Sequence, residues 1–320
     1  MRLIRHSERS EKPGRVGGTP RRPTRPVPSL TLGMTPIFFL AHAGHHHLEA
    51  SEVMRWWSWE PVVVALLAVS AILYFIGSRR MGRVNKVHAA AFYGGWAALV
   101  IALVSPLDAL GGILFSAHMA QHEVLMIVAA PLLVLGQPLV AMLWALPAPW
   151  RIPIARVFQK PPIANVWRFL TAPAIAVLVH AIALWVWHLP SLYQATLRSD
   201  AIHAVQHTAF IVTAALFWWA LVHGRYGRLG YGAAVFYVFL TSLHSGALGA
   251  LLTMSPNLWY PIYGKTTAAW GLDAIEDQQL AGLIMWVPAG VIFLALGLTL
   301  FVAWLAEAER RVALTTSEKR

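Results

Sequence analysis

The chain contains no cysteine. Disulfides, thiolate metal sites and thiol nucleophiles are therefore excluded together. Any metal must be held by histidine, methionine, carboxylate or backbone groups. Charge is also scarce: 12% of the 320 residues are Asp, Glu, Lys or Arg, while 58% are hydrophobic. Ordinary soluble domains carry about 25% charged residues. Acidic side chains are the scarcer kind, 14 against 25 Lys and Arg, which leaves a formal charge of +11. A soluble protein with that excess would suggest nucleic acid, but the placement argues otherwise. Eight of the basic residues precede Pro26, and most others sit in short loops between apolar runs. That pattern orients a chain in a bilayer, and no nucleic-acid partner is expected.

What the chain has is long apolar runs. They cover residues 61–77, 87–104, 115–135, 172–189, 201–222, 233–254 and 279–303. Each falls in the range of about 17–25 residues that crosses a bilayer as helix. The expected fold is all-α: a polytopic membrane helix bundle with about seven transmembrane helices and an N-terminal signal segment. Residues 1–29 read as a basic disordered tail. Residues 30–43 combine a short apolar core with "AHA", the pattern of a signal peptide and its cleavage region; a start at Met34 is the competing reading. Residues 44–60 form an outward segment with "GHHH" and an interfacial belt of Trp56, Trp57 and Trp59. The membrane domain spans 61–305, and 306–320 is a cytoplasmic tail.

Loop charges set the orientation. Arg79, Arg80, Arg83, Lys86, Arg151, Arg156, Lys160, Arg168, Arg225, Arg228, Arg310, Arg311, Lys319 and Arg320 fall on one side. Arg55, Arg198 and Lys265 fall on the other. The fourteen-charge side is expected in the cytoplasm. The mature N-terminus is then outside and the C-terminus inside. The connection "ALPAPWRIPIARVFQKPP" should lie along the inner membrane surface.

This topology sorts the histidines. His118 and His122 open the third span at its outer end, and His203 and His207 open the fifth. His188 closes the fourth, with His180 two turns deeper, and His244 lies mid-way along the sixth. Residues four apart share a helix face, so each i,i+4 pair is set to hold one metal. "HMAQH" and "HAVQH" share the pattern H-x-x-Q-H and start 85 residues apart. Met126 extends the first stripe with a thioether, although methionine more often fills a core. Glu123 reads as a ligand, as a partner orienting a histidine, or as a carboxylate snorkelling to the interface. Asp277 and Gln278 open the seventh span. A lone membrane histidine such as His180 or His244 often only hydrogen-bonds a neighbour. Five outer histidines on three helices are harder to explain by packing. Imidazole with thioether and no thiolate favours copper, with zinc next. Heme between two facing histidines is a further option, with His180 and His244 as its ligands.

The segments "SAHMAQHEVLMIVAAPLLVLGQP", "WVWHLPSLYQATLRSDAIHAVQHTAFIVTAALFWWALV" and "DQQLAGLIMWVPAG" resemble the CtaG family of cytochrome c oxidase assembly proteins, in its seven-span form. The resemblance covers roughly residues 57–304. It implies a multi-pass protein of the prokaryotic cytoplasmic membrane that helps to mature a heme–copper oxidase by handling copper. By motif position, the family's histidines correspond to His118, His122, His188 of "WHLP", His203 and His207. Asp277 and Gln278 fall in its acidic opening of the last span. Glu123 departs from the apolar residue expected there. The reading is an assembly factor and metallochaperone of the respiratory chain, not an enzyme. Its partners would be cytochrome c oxidase subunits, other copper chaperones and the lipid bilayer. The alternatives are a bis-histidine heme cytochrome or redox enzyme, and a copper transporter.

Overall fold

The computed structural model describes residues 50–82, 85–223 and 226–317. The tail at 1–29, the signal segment at 30–43 and the histidines of "GHHH" lie outside them. The described chain is helical, and it begins with a 3-10 turn at Ala50–Arg55. Then follow α1 (Pro61–Arg80), α2 (Lys86–Leu103), the short α3 (Pro106–Gly111) and α4 (Phe115–Glu123). A π turn at Val124–Ala129 joins α4 to α5 (Ala130–Gly136). Next come α6 (Pro138–Ala145), α7 (Ala148–Gln159), α8 (Pro161–Leu170), α9 (Pro173–Trp187) and α10 (Pro190–Thr196). α11 (Asp200–His223), α12 (Tyr226–Met254) and α13 (Ala274–Ser317) complete the bundle.

The helix starts are written in local chemistry. Proline opens α1, α3, α6, α8, α9 and α10, where its missing N–H costs nothing. Glu60 caps α1 by accepting from Val63 N at 2.7 Å, and Asn85 caps α2 by accepting from Val87 N at 2.9 Å. Asp200 lies in the first turn of α11, where a carboxylate suits the helix dipole.

Among the described residues, six helices are long and apolar enough to cross a membrane, or seven if α8 and α9 form one bent span. The fourth run forms a shorter helix than the other spans. α9 has 15 residues, about 22 Å at 1.5 Å per residue, short of the ~30 Å hydrocarbon core. Pro173 disfavours helix at Ala172, which is extended, and α8 turns 66° away. The seventh helix runs on past 303 to Ser317, because "LAEAERRVAL" is rich in helix formers and Glu307 pairs with Arg311 one turn on. Residues 306–317, read as tail, therefore begin as a helical continuation of α13.

The helices pack through small residues. A Cβ on Gly77 of α1 would lie 1.7 Å from the Ala141 carbonyl oxygen of α6. A Cβ on Gly282 of α13 would lie 2.6 Å from the Gly249 carbonyl oxygen of α12. Such close backbone approach is how membrane helices gain contact without a hydrophobic drive. Leu66, Phe75, Ile182, Val205, Val291 and Leu294 stay exposed on the spans, as a lipid-facing surface requires. The interior holds Phe210, Phe217, Trp218, Tyr237 and Phe293. The histidine-bearing ends of α4 and α11 meet above this core.

Candidate metal centre

α4 is fixed from outside its own sequence. Asp277 of α13 accepts from Phe115 N at 2.6 Å and Ser116 N at 3.1 Å, and also from the Ser116 hydroxyl. These are N–H groups that no residue of α4 can satisfy. The cap sets the phase of the turn carrying His118. Gln121 fixes the same helix laterally, donating to Ala102 O at 2.7 Å and Asp108 Oδ1 at 2.8 Å.

With α4 so placed, the two histidine pairs converge. Ring centroids lie 4.4 Å apart within His118–His122 and 4.1 Å within His203–His207. Across the helices, His118 stands 5.1 Å from His203 and 5.9 Å from His207, and His122 stands 5.3 Å from His207. One nitrogen from each of His118, His203 and His207 lies within 4.8 Å of the others. Ligands about 2.0 Å from one tetrahedral ion lie roughly 3.4 Å apart, so a small inward rotation of the rings closes the set.

The unpaired nitrogens in this cluster mark it as a donor set. Both ring nitrogens of His122 and Nε2 of His207 are buried without a hydrogen-bond partner. His118 is oriented for ligation: its Nδ1 donates to Gly111 O at 3.2 Å, which leaves Nε2 as a lone pair. Tyr263 donates to the same carbonyl at 2.9 Å. Gln206 Oε1 lies 3.4 Å from His118 Nε2, acceptor against acceptor. Turning the amide would let its N–H cover that nitrogen until an ion displaces it.

His188 follows the last residue of α9 and is 2% exposed. Its Nδ1 donates to Leu184 O at 2.7 Å, and its Nε2 lies 3.4 Å from Met119 Sδ. Burial pushes its pKa down to about 4, partly opposed by the Leu184 carbonyl. Its ring stands 6.3 Å from that of His122. Over the cluster lie Tyr193, Tyr260 and Tyr263, all buried, with Tyr193 and Tyr263 hydroxyls 3.0 Å apart. Tyr260 donates to His188 O at 2.7 Å. Burial, first among the causes, pushes all three phenols up, so they stay neutral donors.

The remaining candidates have other settings. Asp277 caps α4, and Gln278 ties the preceding loop by accepting from Trp259 N at 2.7 Å and donating to Asn257 O at 3.0 Å. Glu123 is half-buried, with Oε2 lacking a hydrogen-bond partner, and it is outside the triad. Met126 lies within the π turn and packs into the core, and its carbonyl accepts from Trp218 Nε1 at 2.9 Å. His180 meets Thr213 Oγ1 at 3.1 Å and lies 6.4 Å, ring to ring, from His244. His244 lines an apolar recess of about 560 Å³ with residues of α9, α11 and α12. Sequence reasoning assigned no role to Met119, to the two motif glutamines or to the three tyrosines. The repeated glutamine in H-x-x-Q-H was a signal. The tyrosines, on a short helix and a 3-10 turn, gave none.

Residues 72–307 match the family model described as cytochrome c oxidase caa3 assembly factor, Caa3_CtaG. An uncharacterized protein of Mycobacterium bovis is 30% identical over 280 residues, 82% of this chain and 41% of its own length. One of Mycobacterium tuberculosis matches to the same extent. One of Mycobacterium leprae is 26% identical over 273 residues, 80% of this chain and 40% of its own length. The chain thus spans about two fifths of the length of these curated relatives. No solved structure matches it.

Proposed function

The chain belongs to the cytochrome c oxidase caa3 assembly factor family, and we propose that it serves this assembly by holding copper as cargo on His118, His203 and His207 and passing it to an apo-oxidase subunit. The observation that carries the reading is the convergence of three imidazole nitrogens from two helices within 4.8 Å. An all-nitrogen set beside a thioether, in a chain without thiolates, suits copper better than its competitor zinc. The Lys and Arg bias supports a cluster at the extracytoplasmic face of a prokaryotic cytoplasmic membrane, with the C-terminus in the cytoplasm. Other copper chaperones are the natural source of the ion and oxidase subunits its destination. The role is non-catalytic: copper arrives and leaves without a bond being made or broken in a substrate.

The test is competitive metal titration of the detergent-purified protein with Cu(I), Cu(II) and Zn(II). Tight copper binding is expected, weakened about tenfold or more in His203→Ala and His207→Ala. In cells lacking the protein, oxidase assembly should return with the wild-type chain and not with His118→Ala. Equal copper binding by wild type and both variants would sink the reading.

The pairing of His180 with His244, beside an apolar recess, favours a second reading as a heme protein. An absorption spectrum separates the two. A Soret band abolished by His244→Ala supports heme, and a colourless protein removes it.

A further inference from the structure

We propose a second metal position in this protein, built from the Met119 thioether and His188 Nε2 and selective for Cu(I). The argument begins with the imidazole of His188. Leu184 O, 2.7 Å from Nδ1, can only accept, so the proton of the neutral ring is on Nδ1. Nε2 is then a bare lone pair. It faces Met119 Sδ at 3.4 Å, another atom with no hydrogen to give. Two electron-pair donors aimed at each other in a dry interior gain nothing from their mutual approach. A cation between them resolves it. Nitrogen about 2.0 Å and sulfur about 2.3 Å from one ion, at a tetrahedral angle, lie roughly 3.5 Å apart. The observed spacing of 3.4 Å is close to that distance, so a modest turn of the two side chains admits the ion.

The setting chooses the ion. Met119 is 1% exposed and His188 is 2% exposed, so the site is closed to water. Thioether with imidazole is a soft, uncharged pair that suits Cu(I) and gives zinc little. A third donor stands ready. His122 is 1% exposed, and neither of its ring nitrogens has a hydrogen-bond partner. Its ring lies 6.3 Å from that of His188 and 4.4 Å from that of His118. It is positioned between the Met119–His188 pair and the triad and can serve either. Copper held at one position reaches the other through His122, with no redox change and no release into water. The pair stands on its own geometry; its use as the second of two stations rests on the triad proposed above.

X-ray absorption on the wild-type protein loaded with Cu(I) tests the position directly. One sulfur scatterer at about 2.3 Å is expected in wild type and absent in Met119→Leu, a near-isosteric change that core packing tolerates. Cu(I) titration should give two equivalents for wild type and one for Met119→Leu, with Zn(II) binding unchanged. His203→Ala should weaken Zn(II) binding while keeping the sulfur-ligated copper. Nitrogen-only coordination in wild type, or unchanged Cu(I) stoichiometry in Met119→Leu, overturns the second position. Unchanged metal binding in His203→Ala with the sulfur signal intact would instead overturn the triad and leave this position standing.

Discussion

The carboxylate of Asp277 accepts a 2.6 Å hydrogen bond from the backbone N–H of Phe115, 162 residues away in sequence. One helix thereby supplies the cap of another, and the capped turn leads straight to His118. Asp277 is fully buried, so its removal strands three donors. Hydrogen bonds to charged groups contribute about 1.5–3 kcal/mol each and are not additive. Asp277→Ala is expected to destabilise the protein by about 3–5 kcal/mol. Metal affinity should fall with it, although Asp277 touches no ion. Thermal unfolding in detergent, read beside metal titration, checks both. A variant that melts like wild type would remove the capping argument.

Glycine plays two different parts on α13. At Gly282 a Cβ would meet Thr253 Oγ1 at 2.4 Å and the Gly249 carbonyl oxygen at 2.6 Å. Gly282→Ala should therefore cost about 1–3 kcal/mol through overpacking. At Gly297 nothing lies within 4 Å. Gly297→Ala should be neutral or stabilising by roughly 0.5–1 kcal/mol, since alanine suits a helix interior better. The melting temperature should fall for Gly282→Ala and hold or rise for Gly297→Ala.

Acid should weaken the fold through His188. Its pKa falls from 6.5 to about 4 on burial. Between these values the unfolded chain carries a proton that the folded chain refuses. Stability is therefore lost as pH drops from about 6.5 to about 4 and changes no further below, a loss of about 3 kcal/mol for this group. The measurement is the difference in stability between pH 7 and pH 4.5 for wild type and for His188→Gln. Wild type should lose more. Equal losses would show that His188 is not the responsible group.

The hydroxyl of Tyr263 shares the Gly111 carbonyl with His118 Nδ1. Tyr263→Phe removes one donor from that carbonyl and leaves His118 less tightly aimed. Metal affinity should fall roughly tenfold, the lower end for groups that orient a ligand. The fold should hold, since the aromatic ring remains. Isothermal titration with the chosen ion decides it.

The fold and part of the site were legible in the sequence for one reason: both rest on local periodicity. Apolar runs of the right length located most of the long helices to within a few residues, though α12 starts earlier and α13 runs on past its run to Ser317, and i,i+4 spacing put His118 with His122 and His203 with His207 on shared faces. The bend before α9 was harder to see, because Pro173 acts on the residue before it while the hydropathy runs on unbroken. Met126 was the natural thioether on α-helical spacing. The π turn directly after Glu123 breaks that spacing, and Met119, adjacent to His118, meets His188 instead. The reach of Asp277 to Phe115 and the tyrosine cover are tertiary facts with no periodic trace.

The π turn at Val124–Ala129 has a further consequence. A widened turn holds one residue beyond what regular winding requires. One residue added to a regular helix would turn everything beyond it by about 100°. The widened turn takes up its extra residue locally, so the imidazoles of α4 keep their aim at α11 while α5 keeps its own neighbours. This small irregularity acts as a clocking joint between anchor and pocket.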